Sequence, residues 1–195
     1  IIDRIVLFDV NQTEVVNQRW FGIATKETHS IKGIPIASQL YAFENCEGDY
    51  ILQMDSDVMI GRSDYNHSFM DDMLTELESN ETVISVGFNI PVSQSNPYFG
   101  FEDGGFVPEV RMGLFDKKRM FGLRPYTNST DENGKLRLTW YRSMEQYQKQ
   151  TGYCSIRGGD KRSFYIHPQN YRKTKPYSWM NILDRIEQGY TLDKQ

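Results

Sequence analysis

The stretch GDYILQMDSDVMI, from Gly48 to Ile60, limits what this chain can fold into more than any other. A short apolar run bounded by glycine and charge reads as a strand that is covered on its faces. This one ends on Asp55 and Asp57 with only Ser56 between them. Two neighbouring carboxylates repel, and sequestering them is expensive unless a cation or strong donors meet their charge. The fold must bring that compensation to the end of this strand. Just upstream, Ile36, Leu40 and Phe43 recur at helical spacing after Pro35, which suits a first helical turn, and the helix is expected to end near Cys46 to Gly48. Further upstream, Ile5 to Phe8 reads as a parallel strand closed by Asp9, Trp20 to Ala24 as a second short strand, and Lys26 to Gly33 as polar loop. Strand, helix and strand ending on acidic residues predict an α/β fold, whose ligands gather at the carboxyl ends of the strands. Asp9 and Asp55 both hold that position.

Beyond the pair, Ser68 with Asp71 resembles a capping box, and Phe69, Met73, Leu74 and Leu77 form one apolar helical face. Val83 to Phe88 reads as strand. Asn89 to Phe106 carries two prolines and three glycines among four aromatics, Tyr98, Phe99, Phe101 and Phe106, the composition of a functional loop rather than a disordered one. Glu109 to Phe115 reads as strand and Asp131 to Lys135 as a turn. A helix is expected after Thr139, with Trp140, Met144 and Tyr147 on one side and Gly152 at its end. A last helix is expected after Ser178, with Trp179, Ile182, Leu183 and Ile186 as its stripe and Gly189 as its C-cap.

The 195 residues suit one domain, and a net charge of -4 lacks the basic excess of a nucleic-acid footprint, so nucleic acid is not expected as a partner. No apolar run approaches the roughly eighteen residues of a membrane span, and no signal peptide is apparent. Cys46 and Cys154 lack metal-site spacing and read as free buried thiols of a reducing compartment. The chain enters a strand almost at once without an initiator methionine, which predicts a piece of a longer protein.

Three chemistries use aspartate, one residue, aspartate after a strand. A calcium loop needs an oxygen ligand, glycine and glutamate at its fifth, sixth and twelfth positions; here stand Met59, Ile60 and Asn66, and that reading fails. An aspartyl-nucleophile phosphatase would use one carboxylate on phosphorus and both on magnesium, but its usual threonine or valine is replaced by Met59, and two strand candidates precede this one. A nucleotide-sugar site would use the pair to hold a divalent cation against a diphosphate leaving group, which also relieves the repulsion between Asp55 and Asp57. Two solvated carboxylates capping a loop remain the alternative.

The segment KGIPIASQLYAFENCEGDYILQMDSD, Lys32 to Asp57, resembles the family 2 glycosyltransferases of the GT-A fold, with small residues leading into a helix, a G-(D/E)-Y-(I/V) pattern and a strand ending in DxD. IVLFDVNQT, Ile5 to Thr13, is similar to that family's second strand. The resemblance implies an α/β, GT-A-like nucleotide-sugar-binding fold with a mixed, mostly parallel sheet flanked by helices, its first strand preceding Ile1. It also implies a nucleotide-sugar-binding half over 1–88 and an acceptor and catalytic half over 89–195. In it Asp9 contacts the donor base, Asp55 lies near ribose or metal, and Asp57 is the principal ligand of Mn2+ or Mg2+. His167 is a candidate third ligand, since an imidazole suits two carboxylates on such an ion. For the general base Asp160 in RGGD competes with Glu102 and Asp103. The basic run Arg172, Lys173 and Lys175 is a candidate to close over the diphosphate, or a solvated charge run. Trp140 and Trp179 read as core; Tyr98 and Phe101 are the candidate acceptor aromatics.

The implied activity is metal-dependent transfer of a sugar from a nucleoside-diphosphate sugar to a saccharide, lipid-linked or protein acceptor hydroxyl, with inversion. A cytoplasmic setting is expected, at the inner face of a membrane if regions outside this sequence attach there. A nucleotidyltransferase and a noncatalytic carbohydrate-binding domain remain the other classes.

Overall fold

In the computed structural model, residues 4–62, 64–87, 107–158 and 162–166 are described, with Met180, Asn181, Leu183, Asp184, Glu187 and Gln188 beyond them. Asp9 caps a 3-10 turn, Val10–Gln12, by accepting from the Asn11 amide. Helix α1, Thr13–Phe21, follows and ends at Gly22, whose φ of 69° is the left-handed conformation that favours glycine. Then come α2 (Ala37–Glu44), β1 (Tyr50–Met54), β2 (Met59–Arg62), α3 (Phe69–Ser79), β3 (Val83–Gly87), β4 (Met112–Asp116), α4 (Lys117–Gly122), α5 (Trp140–Thr151), β5 (Cys154–Arg157) and β6 (Ser163–Ile166).

The main sheet has the order β1-β4-β3-β5. β4 runs antiparallel to both β1 and β3, and β3 is parallel to β5, so β1, β3 and β5 all point the same way and β4 alone opposes them. Helices flank this mixed, mostly codirectional sheet, an α/β, GT-A-like architecture. A second, two-stranded sheet pairs β2 with β6.

Alternation along β1 and β4, with an irregularity between Val83 and Ser85 that puts Ile84 and Val86 on opposite faces of β3, divides the interior in two. On one face, Ile51, Ile84 and Phe115 meet α1, α2 and α5 through Trp20, Leu40, Phe43, Trp140 and Met144. Trp140 stands edge-on to Phe43 at 5.1 Å and to Phe115 at 5.7 Å between ring centres. On the other face, Val86, Met112 and Leu114 are covered by Phe69, Met73 and Leu77 of α3 and by Tyr165 of β6. The α3 cap is formed as its sequence predicts, with Ser68 Oγ accepting from the Asp71 amide at 3.3 Å.

Several expectations change. Trp20 to Ala24 is not a strand: Thr13, Val16 and Asn17, then Trp20 and Phe21, are the buried positions of α1, at helical spacing. Ile5 to Phe8 forms no strand, because no described strand pairs with it, and Ile5 and Leu7 are exposed. β4 begins at Met112 rather than Glu109, since the preceding residues turn to bury the Glu109 carboxylate. Met180, Asn181, Leu183, Asp184 and Glu187 are helical as expected, with Leu183 exposed rather than in the core; Trp179, Ile182, Ile186 and Gly189 lie outside the described residues. Both cysteines are free thiols as expected but half-buried rather than buried, and burial pushes the Cys154 thiol up. Among the described residues no helix is long and apolar enough to cross a membrane.

Candidate functional site

The sheet's directions decide where chemistry can sit. Because β1, β3 and β5 are codirectional, Met54, Gly87 and Arg157 end on one edge, and the start of β4 lies there too: Met54 is opposite Met112, and Gly87 opposite both Gly113 and Arg157. Asp55 is the first residue past β1 on this edge. Its amide donates to the Arg111 carbonyl at 2.9 Å, and its own carbonyl accepts from the Val58 amide at 3.1 Å. That tight turn exposes Ser56, half-buries Asp55 and Asp57, and delivers the chain into β2. The acidic pair thus occupies the corner between the two sheets.

Beside it lies a buried polar cluster that sequence reasoning missed. Glu109, only 7% exposed, accepts from the Arg111 amide through Oε1 at 3.0 Å and is ion-paired with Arg157 through Oε2. The Tyr165 hydroxyl, arriving from β6, hydrogen-bonds the same carboxylate; burial first, and the Glu109 charge second, push that hydroxyl well above the usual tyrosine range. Glycine makes room for the cluster: a Cβ on Gly113 would stand 2.5 Å from the Glu109 carbonyl, and one on Gly87 3.1 Å from the Glu109 Cβ. Glu109 therefore links β5, β6 and the backbone that receives Asp55. The only sequence signal for it was a glycine inside each of two apolar strands, marking close approach.

Among the other candidates, Asp9 is exposed, and its Oδ1 accepts both the Asn11 amide and the Asn11 side-chain amide at 2.9 Å. Among the described residues no hydrogen bond or ion pair links Asp9 to the acidic pair. Glu102, Asp103, Asp160, His167, Arg172, Lys173 and Lys175, with the acceptor candidates Tyr98 and Phe101, lie outside the described residues. His67 is buried with both ring nitrogens engaged, Nδ1 with Ser163 Oγ and Nε2 with Asp72 Oδ2, each at 2.8 Å. That row looks like a hydrolytic triad, but Ser163 is fully buried and no substrate reaches it. It acts instead as a strut from the start of α3 to β6.

Among the described residues no three His, Cys, Asp or Glu side chains are grouped as a metal centre. Two half-buried carboxylates on one tight turn still match the way magnesium-like ions are held, by one or two carboxylates with phosphate oxygens and water completing the shell. The donors are hard oxygens, which suit Mg2+ or Mn2+ rather than a thiolate-seeking ion. Compared with protein-family models, curated proteins and solved structures, the chain gives no match.

Proposed function

We propose that this chain is the donor-binding and catalytic region of a metal-dependent glycosyltransferase, moving a sugar from a nucleoside-diphosphate sugar to an acceptor hydroxyl with inversion. The observation that carries this reading is the acidic pair at the carboxyl end of β1, on the edge where three codirectional strands of a GT-A-like sheet finish. Asp57, with Asp55 and a third ligand for which His167 is the candidate, would hold a divalent cation, Mn2+ or Mg2+, which supplies charge neutralisation for the diphosphate. Asp9 is assigned to the donor base; both of its capping bonds fall on Oδ1, which leaves Oδ2 for a ligand. Arg172, Lys173 and Lys175 are assigned to the departing diphosphate.

The chemistry itself is a displacement. A carboxylate, Asp160 ahead of Glu102 and Asp103, takes the acceptor hydroxyl proton as the oxygen attacks the anomeric carbon. The bond from that carbon to the phosphate oxygen breaks on the opposite side, and its electron pair leaves with the nucleoside diphosphate. Residues 1–88 form the donor half in this reading and 89–195 the acceptor half, with a saccharide, lipid-linked or protein acceptor. Water must be kept from the anomeric carbon, a task for the segment 89–106.

The test is turnover: nucleoside-diphosphate release from a panel of nucleotide sugars with Mn2+ and mixed saccharide acceptors, with proton NMR of the product's anomeric configuration. An inverted product, absent with Asp57→Ala, supports the reading. Pyrophosphate release from a nucleoside triphosphate instead would replace it with nucleotidyl transfer, and no turnover of either kind would remove the enzymatic reading.

A further inference from the structure

Among the described residues, the carboxyl edge holds one guanidinium, that of Arg111, with no side-chain partner. Arg111 immediately precedes β4 and is exposed, yet its backbone is fixed on both sides. Its amide donates to Glu109 Oε1 at 3.0 Å, and its carbonyl accepts the Asp55 amide at 2.9 Å. A ladder bond of that kind holds two backbones about 5 Å apart, so the Arg111 Cα is a fixed neighbour of the acidic turn. The nearest buried carboxylate is already committed: Glu109 is paired with Arg157 and hydrogen-bonded by Tyr165. The Arg111 guanidinium makes no hydrogen bond or ion pair with another described residue, although its charge reaches the Tyr165 hydroxyl. Glu109 and Arg157 cancel, and Arg111 is left as a positive charge beside Asp55 and Asp57.

A carboxylate pair next to a guanidinium that makes no ion pair with a described residue suits a ligand that is itself anionic and carries a cation. In a cation-chelated diphosphate, some oxygens face the metal and the rest need strong donors; the planar fork of arginine provides two in parallel. We propose that Arg111 binds the phosphate oxygens of such a diphosphate, and that Glu109 is the positioning residue that aims it by fixing its amide. This rests on the reading of Asp55 and Asp57 as the diphosphate's cation site. It makes the start of β4 part of the donor site, although in the sequence it reads only as a strand.

The experiment separates three binding events: Mn2+ alone, followed by electron paramagnetic resonance of the free ion; the tightest binder among UDP, GDP, dTDP and CDP in saturating Mn2+, by calorimetry; and the corresponding nucleoside without phosphate. Arg111→Ala removes an exposed side chain and is expected to fold. It should keep Mn2+ and nucleoside affinity while binding the diphosphate about tenfold or more weakly, as loss of a charged donor implies. Arg111→Lys should recover part of the loss. Glu109→Gln should weaken the diphosphate but not the nucleoside at temperatures where the variant is folded; should it not fold, the two Arg111 variants carry the test alone. If Arg111→Ala binds the diphosphate as wild type does while Asp57→Ala does not, the role of Arg111 is overturned and the glycosyltransferase reading survives. If wild type binds no diphosphate in Mn2+, both fall.

Discussion

The Trp140 side of the sheet and its carboxyl edge bury side chains on opposite terms. Around Trp140, the neighbours Phe43, Phe115 and Met144 are apolar, and the one polar handle, the indole N–H, donates to Gln39 Oε1 at 2.7 Å. At the edge, a glutamate, an arginine and a tyrosine are packed against strands that need glycine to admit them. The first arrangement gains from removing apolar area from water. The second carries a desolvation cost that well-packed apolar residues would avoid. A chain that keeps charges where it could have kept leucines points to a use for them, and this edge is where an α/β sheet takes its ligands.

The largest expected effect falls on the apolar side. Trp140→Ala empties the centre of the aromatic cluster and should cost ~3–5 kcal/mol in chemical denaturation. Breaking the edge comes next: Glu109→Ala severs the ion pair with Arg157 and should cost about 3 kcal/mol, toward the low end for a severed buried pair because Arg157 is partly exposed. The double variant Glu109→Leu with Arg157→Met sharpens the contrast. Denaturation should show most of the stability regained, while calorimetry shows Mn2+-dependent diphosphate binding weakened as far as in Arg111→Ala; binding as tight as wild type in the double variant would mean that the charges are structural only.

The strut between α3 and β6 gives a smaller effect. His67→Ala removes two hydrogen bonds and exposes Ser163 and Asp72 to unsatisfied or solvated states, at about 2 kcal/mol by urea titration. Smallest is a pH effect far from the site. The backbone amides of Lys135 and Asn133 hold the Asp131 carboxyl below its ordinary range. A depressed folded value means that this stabilisation is present above the unfolded carboxyl's pKa, near 4, and is lost as pH falls through the folded value. Asp131→Asn should flatten that acid-side loss in unfolding curves, and an unchanged acid limb would show that the turn bonds do not discriminate between its protonation states.

Regular periodicity made much of the fold legible. Tyr50 to Met54, the Leu40 and Phe43 helix, the Ser68 cap and the Trp140 helix each have a local pattern that tertiary packing leaves in place. The first twenty residues were less legible. Trp20 and Phe21 read as strand because of their bulk, yet with Thr13, Val16 and Asn17 they complete a helical face, and a fifth strand at Ile5 to Phe8 has no described ladder to join. The acidic pair was visible because its two carboxylates are adjacent in sequence. Its neighbours were not, since Glu109 meets Arg157 across 48 residues and no local spacing encodes that contact. Arg111 was hidden for a further reason: its importance comes from what Glu109 does with Arg157, not from its own surroundings in the chain.

A cation-diphosphate site at the carboxyl edge is tested by calorimetric titration of UDP, GDP, dTDP and CDP into the protein, with and without Mn2+, using wild type and Asp57→Ala. At least one nucleotide is expected to bind wild type only when Mn2+ is present, and a still-folded Asp57→Ala is expected not to bind it. Equal binding by both proteins, or none by wild type with Mn2+, would contradict a cation-diphosphate site at this edge.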